Sequence, residues 1–147
     1  MDFTGKVVVI TGASSGIGEA LVYAFADRGA KVVMGARNSA KLAEIAAQLF
    51  TRGIESAFEA TDVTREEDCK RLIDKALSAF GRIDILICNA GISMRALFDD
   101  VQLDVLRQLM DVNFWGTVYC TKYALPYLQA ARGTVVGVSL SLIHISE

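Results

Sequence analysis

The segment Thr11-Gly12-Ala13-Ser14-Ser15-Gly16-Ile17-Gly18 holds the residues whose types and spacing most clearly could do chemistry. It follows a run of buried-strand type, Lys6-Val7-Val8-Val9-Ile10, and opens an amphipathic helix. A strand, a glycine turn and a helix start together make a phosphate site, because the first helical N–H groups point at an anion. Gly12 permits the tight turn, Gly16 lets backbone approach a pyrophosphate with no Cβ in the way, and Gly18 allows the helix to pack close on the strand. Three glycines alone often mark nothing but a turn; the strand before them and the helix after them carry the reading.

Composition narrows the function class. The 147 residues are 52% hydrophobic, enough for one globular domain with a sizeable core, and the net charge of -2 is spread along the chain. A nucleic-acid surface or polybasic membrane patch is not expected. No apolar run reaches bilayer-spanning length, so the expectation is a soluble, cytoplasmic protein with no membrane partner. Cys69, Cys88 and Cys120 lack the paired spacing of metal or redox motifs and read as buried reduced thiols.

The elements that must position the glycine loop alternate as β-α-β-α-β-α-β-α-β, which implies a parallel sheet wrapped by helices on both faces. The strands are expected at 6–11, 30–36, 55–61, 83–88 and 134–139. Ile17, Leu21, Ala24 and Phe25 have the spacing of a core stripe on the first helix, and Leu42, Ile45, Ala46 and Leu49 that of the second. Thr64-Arg65-Glu66-Glu67 has the form of a capping box opening a third helix, which buries Cys69, Leu72, Ile73, Ala76, Leu77 and Phe80. One long helix is expected over 101–131, with Pro126 as a point of kinking.

These motifs resemble the short-chain dehydrogenases/reductases. The resemblance rests on Thr11-Gly12-x-x-x-Gly16-x-Gly18, on Asp62-Val63 after the third strand, on Asn89-Ala90-Gly91 after the fourth, and on Asn113 in the helix that leads to the fifth. It implies an α/β, Rossmann-like doubly wound sheet of strand order 3-2-1-4-5. It also implies an oxidoreductase that moves hydride between a nicotinamide cofactor and a small-molecule alcohol or carbonyl substrate. The loop Gly12, Ser14, Ser15, Gly16, Ile17 and Gly18 would hold the pyrophosphate, Asp62 with Val63 the adenine, and Asn89, Ala90 and Gly91 the floor beneath the nicotinamide ribose. Asn113 would be catalytic, as part of a proton relay, and the parent protein would be a homo-oligomer.

Cofactor choice follows from charge at the end of the second strand, Met34-Gly35-Ala36-Arg37-Asn38. An NAD site of this kind places a carboxylate there for the ribose 2′-OH, whereas a basic residue suits a 2′-phosphate. Ala36 fills the carboxylate position and Arg37 follows, so NADP is expected over NAD, with Arg37 and Asn38 at the phosphate and Ser14 or Ser15 adding a hydroxyl.

The chain departs from the family in its acid–base residues. The family uses a Tyr whose pKa is lowered by a Lys four residues on, because a free phenol is a poor base at neutral pH. Tyr23, Tyr119, Tyr123 and Tyr127 are followed at that spacing by Asp27, Tyr123, Tyr127 and Ala131. The catalytic serine position aligns with Leu140, next to Ser139. Residues 140–147 do not resemble the family, and one DNA that encodes them, CTG TCT CTT ATA CAC ATC TCC GAG, is the transposase end sequence used to tag sequencing libraries. The expectation is an incomplete dinucleotide-binding domain over 1–139, lacking the C-terminal strands and helices, followed by a non-native tail in which the lone His144 is incidental. Two other readings stand beside the inactive enzyme fragment: a non-catalytic NAD(P)-binding module, and a truncated chain without function.

Overall fold

The computed structural model describes residues 1–139; the expected tail and the Leu140 position lie outside the described residues. Five strands, β1 (Val7–Thr11), β2 (Lys31–Ala36), β3 (Ser56–Ala60), β4 (Ile85–Cys88) and β5 (Thr134–Gly137), pair in the order β3-β2-β1-β4-β5, all parallel. This is the parallel sheet expected from the alternating pattern, in the Rossmann-like order that the family resemblance implies. Helices α1 (Gly16–Ala26) and α2 (Ser39–Thr51) cover one face, and α3 (Glu66–Phe80) and α5 (Gly116–Ala131) the other.

Side-chain alternation explains why the central strands are apolar throughout. Val7 and Val9 point into the core under α3 and α5, Val8 and Ile10 into the core under α1 and α2, and all four are buried. At the N-terminal end of the sheet the buried Asp84 carboxylate accepts Val7 N–H at 2.9 Å and a bidentate pair of bonds from Arg82. β5 is the outer strand next to β4, and Val135 and Val136 are 41% and 39% exposed.

The structure corrects several expectations. On α1 the inward stripe is Gly18, Val22 and Ala26, whereas Ile17 is exposed at the helix start, facing the cleft described below. The capping box does not form: the Thr64 hydroxyl donates to Asp62 Oδ1 at 2.7 Å, so α3 begins at Glu66 with Arg65 as an N-cap that makes no side-chain bond. The helix expected over 101–131 runs without a gap from Leu103 to Ala131, but as α4 (Leu103–Met110), a π-turn at Asp111–Trp115 and α5, with a separate 3-10 turn ahead of it at Phe98–Asp100. β2 starts one residue later than expected, β3 is shorter at both ends, and the fourth and fifth strands are trimmed to Ile85–Cys88 and Thr134–Gly137.

Candidate functional site

The C-terminal ends of β1, β2, β3 and β4 open onto a cleft of about 930 Å³. Its walls include Gly12, Ser14, Ser15 and Ile17 from the glycine loop, Arg37 and Asn38 after β2, Asp62 and Val63 after β3, and Asn89, Ala90 and Gly91 after β4. Placement beyond the carboxyl ends of the strands is where open α/β sheets take ligands. Gly16, Gly18 and Asn113 are not among the lining residues.

Gly12 and Gly16 have φ of +64° and +56°, in the region that favours glycine. A Cβ on Gly18 would lie 2.0 Å from the Gly12 carbonyl oxygen, so only glycine lets α1 seat this close to β1. Around Gly16 nothing would meet a Cβ within 4 Å. The N-cap Ser15 makes no side-chain bond to the first turn of α1, which leaves the opening N–H groups of the helix and the Ser14 and Ser15 hydroxyls for an anion.

Asn89 ties the loop to β4. Its Nδ2 donates to the carbonyls of Thr11 at 3.1 Å and Gly12 at 3.2 Å, while the Thr11 hydroxyl accepts the N–H groups of Asn89 and Ala90, both at 3.0 Å. Thr11 is thus a site-building residue that the motif reading passed over; its signal is a lone hydroxyl ending an otherwise aliphatic strand.

Asp62 is held rigidly. Oδ1 accepts both the N–H and the hydroxyl of Thr64, and Asp62 N–H donates to Asp68 Oδ2 at 3.0 Å. Burial opposes ionisation of Asp62, but the two Thr64 bonds and the charges of Arg37 and Arg65 outweigh it and hold the carboxyl below its ordinary pKa. Asn38, expected at a phosphate, spends its side-chain oxygen on the N–H of Lys41 as the cap of α2. Arg37 is exposed and makes no salt bridge among the described residues.

The π-turn brings a second wall to the cleft. Gln108, Asp111, Val112 and Ile92 line it, as do Ala36, Thr61 and Thr64. Of these, sequence reasoning placed only Ala36 at the site, as the residue standing in the carboxylate position. The Asx-turn pattern Asp62-x-Thr64 was a usable signal for Thr64, and the neighbours of Asn113 for Asp111 and Val112. Asn113 itself turns its side chain to the backbone of Ile92, donating to its carbonyl at 2.8 Å and accepting its N–H at 2.9 Å.

A family model described as short chain dehydrogenase matches residues 6–142. The chain belongs to the short chain dehydrogenase family. It is 45% identical over 142 residues to 11-beta-hydroxysteroid dehydrogenase A of Sesamum indicum, covering 95% of this chain and 41% of that one. To 11-beta-hydroxysteroid dehydrogenase 1A of Arabidopsis thaliana it is 44% identical over 142 residues, covering 93% and 40%. The chain therefore spans less than half the length of the curated relatives it matches. Among solved structures, an alcohol dehydrogenase from the archaeon Thermococcus sibiricus complexed with 5-hydroxy-NADP superposes with a TM-score of 0.86 at 33% identity, over 88% of this chain and 56% of that chain.

Against the acid–base chemistry of short chain dehydrogenases, the tyrosines of this chain are poorly placed. None of the four lines the cleft. Tyr123 donates its hydroxyl to Glu66 Oε1 at 2.7 Å, and that carboxylate pushes the phenol up to about 12, the reverse of what a base needs. Cys69, Cys88 and Cys120 are free and buried, as expected. No helix among the described residues is long and apolar enough to cross a membrane. A second hollow, about 670 Å³ between α2, β3 and the end of α3, contains Glu55 as its one acidic group and no site residue.

Proposed function

We propose that residues 1–139 form the cofactor-binding part of an NADP-dependent short-chain dehydrogenase/reductase whose parent protein interconverts an alcohol and a carbonyl compound, and that residues 140–147 are a non-native tail, of which the family match takes in the first three residues, to Leu142. The observation that carries the cofactor reading is the end of β2, where Ala36 fills the position at which an NAD site would carry a carboxylate and the exposed guanidinium of Arg37 follows it, both residues lining the cleft. NADP, when bound, supplies the hydride donor or acceptor. The residues of this chain bind and orient it: the loop from Gly12 to Gly18 offers N–H groups and hydroxyls to a pyrophosphate, Asp62 and Val63 flank the adenine, and Asn89, Ala90 and Gly91 form the floor, braced by Thr11 and Asn113.

The hydroxysteroid names of the relatives point to a substrate alcohol or ketone on a bulky apolar skeleton. Cytoplasmic residence and a homo-oligomeric parent complete the reading.

A second reading, a binding module without turnover, is favoured by one observation: no tyrosine lines the cleft and none is followed by lysine at the family's spacing. The experiment that separates the two is ketone-dependent NADPH oxidation. The full-length protein read from the source locus should turn over while the 147-residue chain stays at background. NADPH binding without turnover in the full-length protein selects the module, and turnover by the 147-residue chain overturns the assignment of its missing acid–base pair.

A further inference from the structure

Arg37 and Asp62 leave the sheet side by side. β2 and β3 stay in register to Ala36 opposite Ala60, and Thr61 N–H donates to the Ala36 carbonyl at 2.8 Å, so the next residues, Arg37 and Asp62, emerge at the same level and both line the cleft. Asp62 cannot swing away, since Thr64 holds its Oδ1 through two hydrogen bonds and Asp68 holds its backbone N–H. Arg37 lies close enough for its charge to act on that carboxylate, yet it forms no ion pair with it. The other cation acting on Asp62, Arg65, is shared with Asp68 at 3.9 Å. Among the described residues, the space next to Arg37 is therefore bounded by one cation without an ion pair and one fixed anion.

We propose that Asp62 is a second determinant of cofactor specificity at the ribose 2′ position: its fixed negative charge disfavours a 2′-phosphate, and Arg37 offsets that repulsion. The inference rests on the dinucleotide reading above and goes beyond it, because contact with adenine is common to NADH and NADPH and leaves their ratio untouched. A 2′-phosphate seated against Arg37 brings its negative charge within Coulomb reach of Asp62, whereas the 2′-hydroxyl of NADH is neutral. The preference for NADPH is then the difference between attraction by Arg37 and repulsion by Asp62, and both weaken with added salt.

The test is the ratio of NADH to NADPH dissociation constants in the full-length protein carrying this chain. Asp62→Asn keeps an Oδ1 acceptor for Thr64 and removes the charge; both cofactors should bind more weakly, but the ratio should shift toward NADPH by roughly three- to tenfold at low salt. An unchanged or lowered ratio overturns the proposal. Arg37→Ala, at an exposed position, tests it independently: with Asp62 intact the ratio should fall below one at low salt and return toward one as salt is added, and the double variant should sit near one. A ratio at or above one in Arg37→Ala at low salt also overturns it. If the unmodified protein binds neither dinucleotide, the underlying reading fails; if it binds both and only these shifts are missing, this proposal alone fails.

Discussion

Asn113 and Ile92 are joined by two hydrogen bonds that close a ring, side-chain Nδ2 to carbonyl at 2.8 Å and backbone N–H to Oδ1 at 2.9 Å. The amide pairs with the backbone as a neighbouring strand would, at the point where the chain leaves β4 without one. The π-turn places Asn113 there, and Gly116 at its far end sits so close to Val63 that an added Cβ would lie 2.8 Å from Val63 Cγ2. One irregular turn thus touches both the floor segment and the Asp62-Val63 loop, in keeping with the frequent siting of π-turns at functional positions.

Replacing Asn113 should loosen the floor before it affects anything else. Asn113→Ala removes both bonds and is expected to cost about 1–3 kcal/mol of stability. Asn113→Asp keeps the acceptor but sets a carboxylate against the Ile92 carbonyl and should cost at least as much. Urea unfolding of the full-length variants measures this, and hydrogen exchange should speed up at Gly91 to Ser93; unchanged exchange there would mean that the pair does not hold the segment.

Gly16 and Gly18 should respond differently to alanine. Gly16→Ala meets open space and bears only the positive φ, about 1–2 kcal/mol. Gly18→Ala drives a methyl into the Gly12 carbonyl and should displace the loop, with a loss of about 1–3 kcal/mol or failure to fold. Thermal melts with and without NADPH distinguish them: the Gly16 variant, whose added Cβ faces the pyrophosphate, should stay folded with a reduced ligand-induced rise in Tm, and the Gly18 variant should melt well below the unmodified protein even without ligand.

Much of this was legible in the chain because it is local. Val7–Thr11 and Lys31–Ala36 read as fully buried strands from their composition, and alternation with helices implies a parallel sheet, whereas the strand order came from the family resemblance. The π-turn joining α4 to α5 was not legible. Leu103, Leu106, Met110 and Phe114 continue a helical spacing, and the turn is set by tertiary demands, Asn113 on Ile92 and Gly116 against Val63, that leave no local mark. Thr64 misled for a related reason: Asp62 offers its hydroxyl a charged acceptor that the capping box does not. Ile17 misled because an apolar residue at a helix start was read as core, although it faces the cleft.

Stability should fall with acid through Asp84. Burial opposes its ionisation, but the Arg82 bonds, the Val7 N–H and the charges of Arg82 and Lys6 hold its carboxyl below the ordinary value. A depressed folded-state pKa contributes stability that is fully present above the unfolded value near ~3.9 and lost as pH falls through the folded value. Arg82 and Lys6 are about half exposed, which screens the gain. Asp84→Asn should therefore cost about 1–3 kcal/mol at pH 7 and much less below pH ~3, read from urea midpoints across pH. A difference independent of pH would contradict the assignment.

Solubility should depend on the outer edge of β5. Val135 and Val136 present an apolar strand with unpaired backbone groups, a template for association. The 147-residue chain should aggregate where the full-length protein does not, and Val136→Lys should reduce light scattering of the short chain. Resequencing the locus should place a serine at position 140 and a Tyr-x-x-x-Lys downstream; coding sequence that reads through residues 140–147 unchanged would remove the proposal of a non-native tail.

The central claim is that the end of β2 selects NADP, and equilibrium titration of both reduced cofactors tests it most directly. The full-length protein should bind NADPH more tightly than NADH by about 1.5–3 kcal/mol, the worth of a hydrogen bond to a charged group, and Ala36→Asp combined with Arg37→Ala should reverse the order. Equal affinities in the unmodified protein, or tighter binding of NADH, would contradict the claim.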